Sequence, residues 1–225
     1  MNKTTVLLVE DHTIVREGLR RMIDTEPNLE VVGEATDGRE AVAMAAKLQP
    51  DVILMDIAMP VLNGLEATRQ ILAANPAAKI IILSAHSEDE YIERMRTAGV
   101  AGFLEKQTSA EILTKAISEV AAGKSYYSPA IAKRLADGHQ RSLDRDGVTK
   151  AGGARLTSRE TEVLQLVAEG SANKQVAAAL GISIKTVEKH RQHLMDKLNI
   201  HDTAGLTRYA IAQGVIESSV QLTIL

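Results

Sequence analysis

The chain has 225 residues, 45% of them apolar, which is enough to bury one large core or two of ordinary size. It contains no cysteine, which excludes disulfide bonds and thiolate metal sites. The apolar run near the N-terminus is too short for a signal peptide, and no run is long enough to span a bilayer. We therefore expect a cytoplasmic protein that has no membrane partner.

The net charge of −3 hides a difference between the two halves of the chain. Residues 1–122 carry 12 lysines and arginines against 19 aspartates and glutamates, whereas residues 155–225 carry 8 against 7. An acidic first half and a mildly basic second half predict two domains with different partners. The second half is not basic enough for charge alone to indicate nucleic-acid binding.

In residues 1–122, short apolar runs alternate with amphipathic stretches of helical length. This alternation predicts an α/β domain with a five-stranded parallel sheet. The apolar runs are continuous, which is typical of strands covered on both faces. The predicted strands are 6–9, 31–32, 52–55, 80–83 and 100–104, and the predicted helices are 12–23, 37–47, 65–74, 89–98 and 109–122.

Polar side chains stand where four of the apolar runs end, namely Glu10 with Asp11, Asp56, Ser84 and Lys106. Because parallel strands end along one edge of the sheet, we expect these side chains to converge in a ligand site. Three carboxylates held together repel one another unless a cation lies among them, and hard oxygen ligands suit Mg²⁺. Such a group is suited to covalent phosphoryl transfer, with Asp56 as nucleophile and Lys106 neutralising charge.

These residues, with Met59, Pro60 and Gly64 in the same order, resemble the receiver domain of response regulators over residues 1–122. The resemblance implies a doubly wound, flavodoxin-like fold in which Asp56 accepts a phosphoryl group from a partner sensor histidine kinase. It also implies a Mg²⁺ site and a switch. The Mg²⁺ ligands would be Glu10 (through water), Asp11, Asp56 and the backbone carbonyl of Ala58, and the switch residues would be Ser84 and Phe103, which move inward.

Two positions depart from the usual receiver pattern. Phe103 has no hydroxyl group with which to form a hydrogen bond in its inward position. Gln107 follows Lys106 where many receivers have proline. Both differences concern the switch and leave the expected phosphoryl chemistry unchanged.

Residues 123–154 are predicted to link the two domains. Ser128 and Pro129 are suited to begin a short helix that runs to about residue 136. From there to residue 154 the sequence is polar and rich in glycine and has no apolar period, which predicts a flexible tether.

Residues 155–225 carry the signals of an all-α domain with four helices. Thr157 and Glu160 form a capping-box pattern at the start of the first helix, and glycines 170 and 181 separate the helices that follow. Two helices joined by a short glycine-containing turn are typical of a helix-turn-helix. The predicted apolar stripe of the third helix is Ile184, Val187, Leu194 and Leu198.

The third helix also has a polar face, formed by Lys185, Glu188, Lys189 and Gln192. These side chains can pair with base edges, although their charge pattern alone favours an ordinary solvated face. The segments 156–164, 173–190 and 197–198 resemble the LuxR-type DNA-binding domain. That resemblance implies that the polar face enters the major groove. It further implies that Lys174, Thr186 and Arg191 contact phosphates of double-stranded DNA.

Together the two halves resemble a NarL/FixJ-type response regulator of a bacterial two-component system. The resemblance implies that phosphorylation of Asp56 favours a homodimer that binds specific DNA and regulates transcription, with RNA polymerase as a further partner. The protein would not be an enzyme, beyond slow removal of its own phosphoryl group.

Two other functions stay open at the level of the sequence. A phosphohydrolase with an aspartyl-phosphate intermediate typically has a second aspartate two residues after the first, but position 58 here is alanine. A phosphorylation-independent DNA-binding protein with a silent receiver would have no need for the acidic cluster.

Overall fold

The computed structural model describes residues 3–84, 96–129, 131–133 and 156–216. The chain divides into two compact units, Met1–Thr149 and Lys150–Leu225. All of the described strands lie in the first unit, and the described elements of the second unit are helices.

A parallel sheet forms the centre of the first unit. Its strands are β1 (Thr4–Val9), β2 (Leu29–Ala35), β3 (Val52–Asp56), β4 (Ile80–Ser84), β5 (Gly102–Glu105) and β6 (Tyr126–Tyr127). Their order is β2-β1-β3-β4-β5-β6, and every neighbouring pair is parallel. The order steps outward from β1 in both directions, which is the doubly wound arrangement.

The sequence-based prediction of five strands was wrong by one. Tyr126 and Tyr127 pair in parallel with Gly102 and Phe103 at the edge of the sheet. The Tyr126 amide also donates to the Ala101 carbonyl at 2.9 Å. A strand of two residues is too short to show a hydrophobic period, so these tyrosines were predicted to lie in the linker.

Four long helices among the described residues connect or follow the strands: α1 (Thr13–Asp24), α2 (Gly38–Leu48), α3 (Gly64–Ala74) and α4 (Ala110–Ala121). Side chains of Asp37, Asn63 and Ser109 accept backbone N–H bonds and fix where α2, α3 and α4 begin. Of the helix predicted at 89–98, only residues 96–98 are described, and they are helical. The short helix predicted near 129–136 is described at 129 and 131–133, which are helical; the rest of the predicted linker lies outside the described residues.

The helices cover both faces of the sheet. Alternate strand residues enter two apolar clusters, one packed against α2 and α3 and the other against α1 and α4. Leu7, Ile53 and Ile82 belong to the first cluster, whereas Leu8, Leu54 and Ile81 belong to the second. Each such side chain contributes about 1.5–3 kcal/mol on burial. Cover on both faces holds the carboxyl ends of β1, β3 and β4 in fixed positions, and the site is built on those ends.

The loop between β3 and α3 folds back onto the end of β3. The Gly64 amide donates to the Ile57 carbonyl at 2.8 Å, and a Cβ on Gly64 would lie 1.9 Å from the Asp56 carbonyl oxygen. Val61, in the same loop, has a φ of 68°, a strained value for a β-branched residue. Glycine at position 64 is therefore needed for the loop to pass this close to Asp56.

The second unit contains four helices, α5 (Ser158–Ala168), α6 (Asn173–Leu180), α7 (Ile184–Leu198) and α8 (Thr203–Ala212). The capping box is present, with Thr157 and Glu160 bonding each other's backbone amides. Glu160 also accepts from Lys197 Nζ at 2.8 Å, which ties the start of α5 to α7. Gly181, with a φ of 63°, ends α6 and forms the short turn to α7.

The predicted apolar stripe of α7 was wrong at one position. Val187 and Leu194 are buried and Leu198 is half-buried, but Ile184 is 46% exposed. Ile184 is the first residue of α7, next to the capping Ser183, and so it lies beyond the packed part of the helix. None of the described helices is long and apolar enough to span a membrane.

Candidate functional site

Carboxylates gather at the carboxyl ends of β1 and β3. Glu10 is 0% exposed and Asp56 is 2% exposed, while Asp11 is partly exposed at the start of the loop that leads into α1. Together with His12, they each place one potential ligand atom within 4.8 Å of the others. Residues separated by more than 40 positions in the sequence thus meet at one edge of the sheet.

Lys106, just after β5, completes this cluster. Its Nζ lies 2.8 Å from Asp56 Oδ2 and 2.9 Å from Glu10 Oε2. Burial lowers the pKa of Lys106 and the carboxylate of Asp56 raises it, with the net result that the pKa is raised. The lysine therefore remains charged at neutral pH and partly compensates the buried acids.

The pKa of Asp56 is raised to about 6: burial and, after it, the neighbouring charge of Glu10 raise the pKa, and Lys106 and the Ile57 amide oppose them. That amide donates to Asp56 Oδ1 at 2.7 Å and fixes the orientation of the carboxylate. A buried aspartate with a raised pKa at a ligand-binding edge is typical of a functional group rather than a structural one.

The oxygens of the cluster suit a hard divalent cation. Glu10 Oε2, Asp11 Oδ1 and Asp56 Oδ2 are buried and have no hydrogen-bond donor among the described residues, apart from the ion pairs with Lys106 and His12. Buried acceptor oxygens of this kind are normally satisfied by a donor or a metal ion. Ala58 stands two residues beyond Asp56 in the β3–α3 loop and has no side-chain ligand atom, so only its backbone carbonyl could take part.

Ser84 and Phe103 lie on the neighbouring strands. Ser84 is buried at the end of β4, where its carbonyl accepts from the Lys106 amide at 2.8 Å. Phe103 is fully buried, pairs with Ile82 in the sheet and joins the cluster that also holds Ile131. The aromatic side chain that was expected to move inward is therefore already inside in this conformation.

Two further residues at this site have no motif in the sequence. His12 Nδ1 lies 2.8 Å from Asp11 Oδ1 and 3.1 Å from Glu10 Oε1, and the charge of Asp11 raises the pKa of His12. Arg16 donates from Nη1 to the Glu10 carbonyl at 2.8 Å. The only available signal was their position close to the acidic pair in the sequence: His12 immediately precedes α1, and Arg16 lies in its first turn.

In the second unit, the polar face predicted on α7 is exposed. Lys185, Glu188, Lys189 and Gln192 all face solvent, and Gln192 Nε2 donates to Asp196 Oδ1 at 2.8 Å. The helix-turn-helix is formed by α6, the turn at Gly181 and α7.

The three residues expected to contact phosphates differ in their surroundings. Lys174 is exposed near the start of α6. Thr186 is partly buried, with its hydroxyl 2.8 Å from that of Ser183. Arg191 is partly buried and donates to Asn173 Oδ1 at 2.7 Å and Thr203 Oγ1 at 3.3 Å, so it also ties α7 to α6 and α8.

Comparisons with known proteins agree with both units. Residues 6–118 match the family described as response regulator receiver domain, and residues 154–210 match the bacterial regulatory proteins of the luxR family. The transcriptional regulatory protein DegU of Brevibacillus brevis is 35% identical over 227 residues, covering 96% of each chain. Response regulator protein VraR of Staphylococcus aureus is 35% identical over 212 residues, covering 94% of this chain and 98% of VraR.

A solved structure extends the similarity to a DNA complex. RcsB from Salmonella enterica serovar Typhimurium, bound to promoter rprA in the presence of the phosphomimetic BeF3-, is 26% identical with a TM-score of 0.55. The match covers 92% of this chain and 98% of that chain.

The chain belongs to the response regulators, with a receiver domain followed by a LuxR-type DNA-binding domain. Within that class it is of the NarL/FixJ type, and it is a DNA-binding transcription regulator of a two-component system.

Proposed function

We propose that a sensor histidine kinase phosphorylates this regulator on Asp56, and that the modification promotes dimerisation and binding to specific DNA. The observation that carries the proposal is the buried Asp56 carboxylate, 2.8 Å from Lys106 Nζ and beside Glu10 and Asp11. A structural carboxylate would not need two further acids at this distance, since they raise the cost of its charge.

The residues divide the chemistry among them. A carboxylate oxygen of Asp56 attacks the phosphorus of the kinase phosphohistidine, and an O–P bond forms as the P–N bond breaks, with the electron pair leaving on the imidazole. Lys106 stabilises the negative charge of the phosphoryl oxygens. The ligands proposed for Mg²⁺ are Asp11, Asp56, the Ala58 carbonyl and, through water, Glu10; when bound, the ion neutralises charge on the transferring group.

The proposed switch and output follow from the same placement. Ser84 Oγ turns toward the new phosphoryl group. With Phe103 buried in the core, β4 and β5 then adopt the active conformation. Two regulators then pair, and their α7 helices read the major groove with Lys185, Glu188, Lys189 and Gln192, while Lys174, Thr186 and Arg191 contact phosphates. The likeness to RcsB, solved on a promoter in the presence of a phosphomimetic, supports DNA binding by the phosphorylated form.

As a regulator of bacterial transcription, the protein would work in the cytoplasm and act on RNA polymerase. A phosphohydrolase is disfavoured because position 58, where such enzymes have a second acid, is alanine. Slow loss of the protein's own phosphoryl group to water stays part of the proposal.

The proposal is tested by incubating the full chain with acetyl phosphate and Mg²⁺ and measuring its intact mass. We expect one added phosphoryl group on the wild type and none on Asp56→Asn, with loss of the modification when Mg²⁺ is chelated. Asp51→Asn, which changes an exposed aspartate one residue before β3, is the matched control and should be modified like the wild type. An unmodified wild type, or a modified Asp56→Asn, would contradict the assignment.

A further inference from the structure

We infer that Arg16 is a positioning residue for the metal site: it holds the backbone of the Glu10-Asp11 turn so that both carboxylates point at Asp56. This inference rests on the proposed function, since it assumes that the acids bind Mg²⁺. Arg16 lies in the first turn of α1. It is not one of the residues proposed to bind the metal or the phosphoryl group.

The guanidinium group of Arg16 connects three parts of the fold. Nη1 donates to the Glu10 carbonyl at 2.8 Å and approaches the Asp11 carbonyl at 3.4 Å. Nε pairs with Glu34 Oε2 on β2 at 3.3 Å. The side chain is only 15% exposed, so these contacts are sheltered from water. Arg16 thus braces the turn against the neighbouring strand.

The other restraints on the turn act on its amides and carboxylates, whereas Arg16 acts on its carbonyls: the Glu10 amide donates to the Ala35 carbonyl at 3.0 Å, and the Glu10 carboxylate accepts from the His12 amide at 3.2 Å and pairs with Lys106 at 2.9 Å. His12 precedes α1 without capping it through its side chain, and the acids it follows lie just beyond the last residue of β1. The carboxylates of Glu10 and Asp11 repel each other and Asp56, and the ion pairs with Lys106 and His12 offset part of that repulsion. Arg16 adds a restraint on the backbone from which both carboxylate side chains extend. The guanidinium group donates to the two carbonyls from Nη1 and pairs with Glu34 through Nε, two separate donor positions that the single nitrogen of a lysine does not offer.

A positioning role and a purely electrostatic role of Arg16 predict opposite changes in cation affinity when Arg16 is removed. If the residue acted only through its positive charge, its removal would leave the acids more negative and tighten cation binding. If it positions the turn, its removal weakens binding, because the residues that orient metal ligands typically change metal affinity about 10- to 100-fold when lost. The sign of the change therefore separates the two roles.

Arg20 provides a matched control on the same helix. It pairs with the same Glu34, and with Asp24 at 3.4 Å, but contacts neither carbonyl of the turn. Arg20→Ala therefore removes a nearby positive charge and a Glu34 ion pair without disturbing the brace.

The test measures Mg²⁺ binding to the unmodified full chain by titration calorimetry, with thermal unfolding measured without Mg²⁺ on the same samples. We expect Arg16→Ala to raise the Kd for Mg²⁺ about tenfold or more. Arg16→Lys, which keeps the charge, should also bind Mg²⁺ more weakly than the wild type. The Kd of Arg20→Ala should stay within about twofold of the wild-type value. A merely structural role would lower the unfolding temperature and leave the Kd of the folded protein in place.

Unchanged or tighter Mg²⁺ binding in folded Arg16→Ala would overturn the inference. If Arg16→Ala does not fold, an unchanged Kd in Arg16→Lys overturns it instead. A wild type that binds no Mg²⁺ would show that the proposed metal site itself is wrong, which is a separate outcome.

Discussion

Asp56 carries a costly charge, because its carboxylate is buried beside a second buried acid. Its pKa of about 6 lies above the ordinary value of 3.8, so the folded protein holds the proton more tightly than the unfolded chain. The stability that this proton provides is fully present below pH 3.8 and is lost as the pH rises through about 6. Because the charged Asp56 carboxylate destabilises the free protein, we interpret it as a functional residue, in agreement with the proposed phosphorylation.

The first prediction concerns the pH dependence of stability without divalent ions. At pH 7.5, Asp56→Asn should unfold at a higher temperature than the wild type. Its free energy of unfolding should exceed that of the wild type by up to about 3 kcal/mol. The advantage should shrink as the pH falls from 7 to 4, because the wild-type carboxyl becomes protonated. Thermal unfolding followed by circular dichroism across this pH range measures it.

Asp51 is the control for that experiment. Hydrogen bonds from the Thr5 amide and hydroxyl lower the pKa of this exposed carboxylate, so its contribution to stability has the opposite sign and is lost as the pH falls. Asp51→Asn should therefore not stabilise the protein at pH 7.5. Equal pH profiles for the wild type and Asp56→Asn would contradict the account of the buried charge.

At the residue scale, the sequence predicted the charged residues of the site better than the residues that hold them in position. Glu10, Asp11, Asp56 and Lys106 could be found because each follows an apolar run, and parallel strands end at one edge. Arg16 could not, because a cation on an amphipathic helix is usually solvent-exposed and nothing in its spacing points to a backbone carbonyl.

At the scale of elements, the loop from β3 to α3 fixes how Asp56 meets its neighbours. Gly64 begins α3 so close to β3 that a Cβ there would lie 1.9 Å from the Asp56 carbonyl oxygen. In the sequence, Asn63 followed by Gly64 is typical of a turn but does not reveal this contact, which depends on how α3 packs against the sheet. The same limit hid β6, which exists only because β5 offers it an edge.

The second prediction is that Gly64→Ala displaces this loop and slows phosphorylation by acetyl phosphate about 100-fold, even in protein that remains folded. The added methyl group can be accommodated only if the backbone at Asp56 or Gly64 shifts, and a shift of about 1 Å can cost 100-fold in rate. Intact mass after timed incubation measures the rate, and circular dichroism measures the fold.

Gly18→Ala is the matched control. Gly18 lies inside α1, and a Cβ there would have no atom within 4 Å. Alanine at that position should stabilise the protein by roughly 0.5–1 kcal/mol and leave the rate of phosphorylation unchanged. A Gly64→Ala protein that is modified as fast as Gly18→Ala would show that the close approach has no role in the site.

At the scale of the whole molecule, the chain combines a receiver domain with a LuxR-type DNA-binding domain. The acidic first half and the mildly basic second half, visible in the composition, correspond to these two domains. The family and its two domains could be predicted because each domain carries its own set of motifs within one continuous stretch of the sequence. How the units communicate could not, because the tether predicted at 137–154 has no periodic pattern from which to infer a contact.

The central claim is that the phosphoryl group on Asp56 controls DNA binding, and coupling of this kind typically amounts to about 1–3 kcal/mol. It is tested most directly by the Kd for a DNA site selected by the full chain, measured by fluorescence anisotropy before and after treatment with acetyl phosphate and Mg²⁺. We predict that treatment lowers the Kd of the wild type about 5- to 150-fold and leaves that of Asp56→Asn unchanged. An equal Kd before and after complete phosphorylation of the wild type, or the same tightening in Asp56→Asn, would contradict the account.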